Sequence, residues 1–222
     1  TLFVSNNPTK APPAYVDRLG SAGYDVDAEQ VFTAGTVTTR YLREHHAADD
    51  LLCIGDAGLL SQFADAGLTT TDDPAAADAL VASIDREFDY DDLCTALWTL
   101  ERGVPFVGTD PDVVIPAPER DVPGSGAVIN AIAGVAEREP DVVLGKPSDP
   151  AIEMVRERLP YPPEECLVVG DRLDTDIALG ERAGMTTALV LSGITDEAAV
   201  EDAAVSPDYV LDDLGEVGRV LD

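Results

Sequence analysis

Residues 166–191 read CLVVGDRLDTDIALGERAGMTTALVL. Cys166–Val169 is an apolar, β-prone run that breaks at Gly170-Asp171, as a strand buried on both faces does. Helical spacing follows from Thr175 to Ala183, Gly184 stops it, and Thr187–Val190 is a second apolar run. Two buried strands joined through a helix predict parallel neighbours in a sheet covered on both faces. The acidic residues Asp171, Asp174 and Asp176 then fall at the carboxyl end of the first strand, where open α/β sheets gather their sites.

The alternation continues outward in both directions. Strands are expected at Val142–Leu144 and Tyr209–Leu211, with a helix at Ala151–Arg158 between them. Upstream, strands are read at Thr1–Val4, Leu51–Ile54, Leu80–Ile84 and Val104–Val107. Helices are read at Thr9–Leu19, Thr36–His46, Leu59–Ala66, Tyr90–Arg102 and Ala127–Glu137. The proline- and glycine-rich stretch GTDPDVVIPAPERDVPGSG, residues 108–126, interrupts this rhythm and is read as a crossing between domains. No internal repeat is visible. An α/β fold with a parallel sheet is the expectation.

Composition narrows the classes. Apolar residues make up 45% of 222, enough for a core, so the formal charge of -29 must lie on the surface. Only two lysines stand among 14 basic residues, and 28 aspartates outnumber 15 glutamates. Such a shell repels itself at low salt and fits a salt-rich cytoplasm, that is, a halophilic source. Nucleic acid and anionic membranes are poor partners for it. No run approaches 18 apolar residues and no signal peptide is visible, so a cytoplasmic location is expected. Cys53, Cys94 and Cys166 are widely spaced and read as reduced core residues, not a disulfide framework or zinc site.

Three loops follow strand ends: Ser5-Asn6-Asn7, Gly145-Lys146-Pro147, and GDRLDTDI from Gly170. The first alone is ordinary turn chemistry. Lys146 carries more weight, because a chain nearly devoid of lysine keeps one at a strand end, where an ammonium can neutralise a phosphoryl oxygen or a carboxylate. Asp176, near the first turn of the next helix, is favoured by the helix N-terminus. Capping accounts for Asp174 or Asp176 but not for Asp171. Hard oxygens at this spacing suit Mg²⁺, held by one or two carboxylates with waters and substrate phosphate. Calcium is disfavoured for want of a D-x-D-x-D-G loop, and a dinucleotide fingerprint fails at Ile129 after Gly124 and Gly126.

Ser5 in FVSNN, Lys146 in GKP, and Asp171 with Asp176 in VGDRLDTDI resemble motifs two, three and four of the haloacid dehalogenase-like hydrolases. GVPFVGTDPD, AGMTTALVLSGIT and PDYVLDDL are similar to the subfamily with a large α/β cap between motifs two and three. That subfamily includes p-nitrophenyl and phosphoglycolate phosphatases. The resemblance spans essentially the whole chain. It implies a Rossmann-like core at 1–45 and 124–222 with an inserted cap at 46–123.

The resemblance also implies a Mg²⁺-dependent phosphoric monoester hydrolase acting on a small phosphorylated metabolite through an aspartyl-phosphate. In it, Ser5 bonds a transferring oxygen, Asn6 helps through its backbone, and Lys146 offsets charge on phosphoryl group and nucleophile. Asp171 binds Mg²⁺, and Asp176 supports the metal shell or orients Lys146. Asp110 and Asp112 are specificity candidates in a cap loop, although the subfamily usually has Asn at position 110. A homodimer through cap faces would follow the same pattern. The attacking aspartate is expected in a D-x-D-G stretch before motif two, hence upstream of Thr1, so residues 1–222 alone are expected to be inactive. Asp25-Val26-Asp27 follows a turn, and Asp110-Pro111-Asp112 falls in the cap-like region, so neither pair replaces it. The rival reading is a non-catalytic binding or assembly module on the same scaffold.

Overall fold

The computed structural model describes residues 1–201 and 203–221, and the chain divides into two compact units, Thr1–Gly145 and Lys146–Asp222. The first opens with β1 (Phe3–Ser5), whose polar exit loop leads to α1 (Pro12–Ser21), with proline in its first turn. Strand β2 (Val31–Thr33) pairs parallel with β1, Ser5 opposite Thr33. This strand was not anticipated, because three residues give no usable period. Thr33 then caps α2 (Ala34–His45) reciprocally with Thr36, each side chain bonding the other's backbone N–H.

The chain continues through β3 (Asp50–Ile54), α3 (Ala57–Asp65), β4 (Thr69–Thr70), β5 (Ala79–Ala82), α4 (Tyr90–Leu100) and β6 (Phe106–Gly108). The loop after β6 folds into a short antiparallel hairpin, β7 (Val114–Ile115) with β8 (Val122–Pro123). It is followed by α5 (Ser125–Ala136) and β9 (Val142–Val143). Strands β4, β3, β5, β6 and β9 form one parallel sheet in that order. The central strand β5 is buried along its whole length, as its uninterrupted Ala-Leu-Val-Ala demands. Ala96 and Leu100 of α4 and Val128, Ile129 and Ile132 of α5 pack with Leu52, Leu80 and Phe106 in one apolar cluster.

Backbone bonding carries β9 into the sheet beside β6, and α5 covers that sheet. Gln62 of α3 donates to the Pro8 carbonyl at 2.9 Å, and a Cβ on Gly58 would lie 2.2 Å from the Thr9 carbonyl.

The second unit contains α6 (Asp149–Arg158), capped by Ser148, then β10 (Leu167–Gly170), α7 (Ala178–Ala183), β11 (Thr186–Val190), α8 (Glu197–Glu201) and β12 (Tyr209–Leu211). Its three strands are parallel in the order β10, β11, β12. The helix expected from Thr175 begins differently. Leu173–Ile177 forms a wide π turn, with Asp176 and Ile177 both donating to the Arg172 carbonyl at 3.1 Å. All strands except the hairpin pair in parallel, as the alternation implied. The three cysteines are free and half-buried, with burial pushing the Cys53 thiol up to about 12. Among the described residues no helix is long and apolar enough to cross a membrane.

Candidate active site

At the end of β1 the backbone turns away through side chains that bond their own loop. Ser5 Oγ accepts the Asn7 N–H at 3.2 Å, and Asn7 Oδ1 accepts the Thr9 N–H at 2.8 Å and its hydroxyl at 2.9 Å. The Tyr15 hydroxyl, one turn into α1, lies 3.1 Å from Ser5 Oγ. Asn6 is buried and its amide donates to Asp112 Oδ1 at 3.4 Å. Ser5, Asn6 and Asn7 line a cleft of about 260 Å³ whose other walls include Arg86, Asp110, Asp112, Ile115 and Ser125. The fold therefore brings Ser5 and Asn6 together with Asp110 and Asp112, four residues picked out from separate stretches of sequence.

The two acids in this cleft are not alike. Asp112 is half-exposed, whereas Asp110 retains 2% of its accessible surface. Burial pushes the Asp110 carboxyl up to about 7, reinforced by the charge of Asp112 and opposed by hydrogen bonds from Ser125, Thr109 and the Asp112 backbone. Arg86 is ion-paired with Asp56, so its charge in the cleft is already partly offset.

In the second unit Lys146, Asp171 and Asp176 are drawn into one cluster. Lys146 Nζ lies 2.5 Å from Asp176 Oδ1, and both side chains are almost buried. The other Asp176 oxygen accepts the N–H groups of Asp171 at 3.2 Å and Arg172 at 3.1 Å. One Asp176 oxygen therefore meets the ammonium and the other meets two backbone donors of the loop. Asp174 points outward and is exposed, as a residue of the π turn's far side.

Asp171 stands where β10 ends, its Oδ2 accepting the Ile194 N–H at 3.1 Å. A Cβ on Gly193 would sit 2.2 Å from that oxygen, so glycine there is what lets the chain close around the carboxylate. A hard divalent cation fits such a donor. Among the described residues no three His, Cys, Asp or Glu side chains gather as a ligand set, and Mg²⁺ needs only one or two carboxylates with waters and phosphate.

Several contributors escaped sequence reading. Arg86 and Ser125 lie far from the motifs in the chain, and Tyr15, ten residues past Ser5, carries no local signature. Gly145 could have been suspected from its place before Lys146: a Cβ there would approach Asp110 Cβ at 2.6 Å and Asn6 Oδ1 at 2.8 Å.

The chain is similar to known proteins. A family model described as haloacid dehalogenase-like hydrolase matches residues 1–69, and one described as HAD-hydrolase-like matches residues 143–217. The acid sugar phosphatase of Staphylococcus saprophyticus is 30% identical over 221 residues, covering 100% of this chain and 85% of that protein. The 5'-nucleotidase YutF of Bacillus subtilis is 31% identical over 97% of this chain and 83% of its own length. The solved structure of a p-nitrophenyl phosphatase from Archaeoglobus fulgidus superposes with a TM-score of 0.90 at 32% identity, covering 99% of this chain and 85% of that one.

Proposed function

The chain belongs to the haloacid dehalogenase-like hydrolases, and from that premise we propose that the intact protein is a Mg²⁺-dependent phosphatase cleaving a small phosphomonoester through an aspartyl-phosphate. Relatives named as sugar phosphatase, 5'-nucleotidase and p-nitrophenyl phosphatase support hydrolysis of phosphoric monoesters. The observation that carries the reading is the Lys146–Asp176 pair, held at 2.5 Å beside Asp171 at the carboxyl end of β10.

Each residue then has a task. With the Asn7 N–H donating to Ser5 Oγ and the Tyr15 hydroxyl 3.1 Å from it, Ser5 is assigned to a phosphoryl oxygen, and the Asn6 N–H serves beside it. Lys146 neutralises charge on the phosphoryl group and on the attacking carboxylate, which the proposal assigns to a segment upstream of Thr1. Asp176 keeps the ammonium in place. Asp171 would hold Mg²⁺, which when bound supplies further charge neutralisation and a template for in-line displacement. The five-stranded part of the first unit is assigned the role of a cap that excludes water. Half-exposed Asp112 is assigned to the leaving group, and nearly buried Asp110 lies behind it.

The test is Asp171→Ala in the full-length polypeptide, assayed with p-nitrophenyl phosphate across a Mg²⁺ titration. Turnover should fall by at least about a hundredfold and lose its metal dependence. Unchanged turnover sinks the assignment.

A further inference from the structure

We infer that Asp110 is a positioning residue: its buried carboxyl group holds Asp112 against Asn6 and so sets the geometry of the Ser5–Asn7 loop that grips phosphate. The inference takes that loop as the phosphate loop of the proposed phosphatase. Its basis is a chain of contacts within the first unit. Asp110 Oδ1 accepts the Asp112 N–H at 3.3 Å, and Asp112 Oδ1 in turn accepts from the Asn6 amide. Asp110 and Asn6 also meet across Gly145, whose missing Cβ would touch both. The Ser125 hydroxyl bonds the Asp110 carboxyl while accepting the Ile84 N–H at 3.1 Å, which ties the assembly to the start of α5 and the end of β5.

Hydroxyl groups anchor Asp110 from behind. Thr109 Oγ1 lies 3.1 Å from Asp110 Oδ2, to which it donates, and 2.9 Å from Ser83 Oγ. Burial and the neighbouring charge of Asp112 oppose ionisation of the carboxyl group. Asp112 is the ionisable group acting on Asp110, and Arg86, which also lines the cleft, is engaged by Asp56. Ser83, Ser125, Asn6 and Gly145 contribute no charge. With Asp110 neutral, the pair carries one negative charge and Asp112 stays on Asn6. Once Asp110 ionises, two carboxylates repel at close range and the tether to Asn6 slackens.

If only the protonated form holds the loop, apparent affinity falls with the protonated fraction, about tenfold per pH unit above the transition. The full-length protein and its Asp110→Asn variant are compared for binding of inorganic phosphate and for KM with p-nitrophenyl phosphate between about pH 6 and pH 8.5. The variant controls for the ligand's own titration. In parallel, the Asn6 side-chain amide signal is followed by NMR in the wild type. The expected result is an Asn6 transition near neutrality and a weakening of wild-type affinity with rising pH that shrinks to below about twofold in Asp110→Asn. An Asn6 signal indifferent to pH, or the same affinity profile in both proteins, overturns the inference. A protein that shows the Asn6 transition and phosphate binding but hydrolyses nothing overturns the phosphatase reading and leaves this one standing.

Discussion

Asp110 shows how one side chain can link stability to pH. Burial pushes its carboxyl from the ordinary 3.8 up to about 7, so between these values the folded state holds a proton that the unfolded chain has released. Stability must therefore decline as pH rises through that window and level off above about 7. A shift of this size bounds the effect at roughly 4 kcal/mol. Asn cannot ionise, so the stability of wild type relative to Asp110→Asn, from urea midpoints at about pH 4 and pH 8, should fall by a few kcal/mol with rising pH. A difference independent of pH would place the titration elsewhere. Asp110 was singled out from the sequence as a residue at a loop. Nothing in GTDPD shows that it is buried, because Ser125 of α5 and Gly145, which lie against it, follow it by more than a dozen residues.

At the level of elements, the π turn at Leu173–Ile177 does what a regular helix start would not. Widening the first turn swings Asp176 back over the end of β10, so close that a Cβ on Gly170 would lie 2.2 Å from Asp176 Cβ and 2.4 Å from its Cγ. Gly170→Ala must push Asp176 away, releasing both the ammonium and the two loop N–H groups. Turnover in the full-length enzyme should drop by at least about tenfold, with a loss of stability of about 1–3 kcal/mol from overpacking. A variant with wild-type turnover and wild-type urea midpoint would mean that the loop absorbs the methyl group and that Asp176 does not need this seat. The strand, the acidic loop and the following helix were all legible from residues 166–183. The extra residue in the turn was not, since a single turn is too short for apolar spacing to distinguish the two helix types.

For the molecule as a whole, the net charge of -29 is the dominant physical fact. Carboxylates at this density repel one another in dilute buffer, and added salt shortens the range of that repulsion. Raising KCl from about 0.1 M to about 2 M should increase the thermal midpoint by several degrees. A midpoint that stays level or falls would show that the acidic surface carries no salt requirement. On the proposed function, substrate phosphate is drawn in locally, by Lys146 and a metal at Asp171, against the field of the surface.

The sequence by itself determined the α/β class, the parallel pairing, and the loops that carry Ser5, Lys146, Asp171 and Asp176. Each of these rests on local spacing: buried apolar runs, helix stops, and polar residues at strand ends. Only the tertiary structure decided where the chain divides, which sheet takes β9, and that Asp110 is buried while Asp112 meets the cleft. The reason is that sheet partners and burial arise from contacts between distant segments. A strand as short as Val31–Thr33 has no signal of its own until a neighbour supplies its hydrogen bonds.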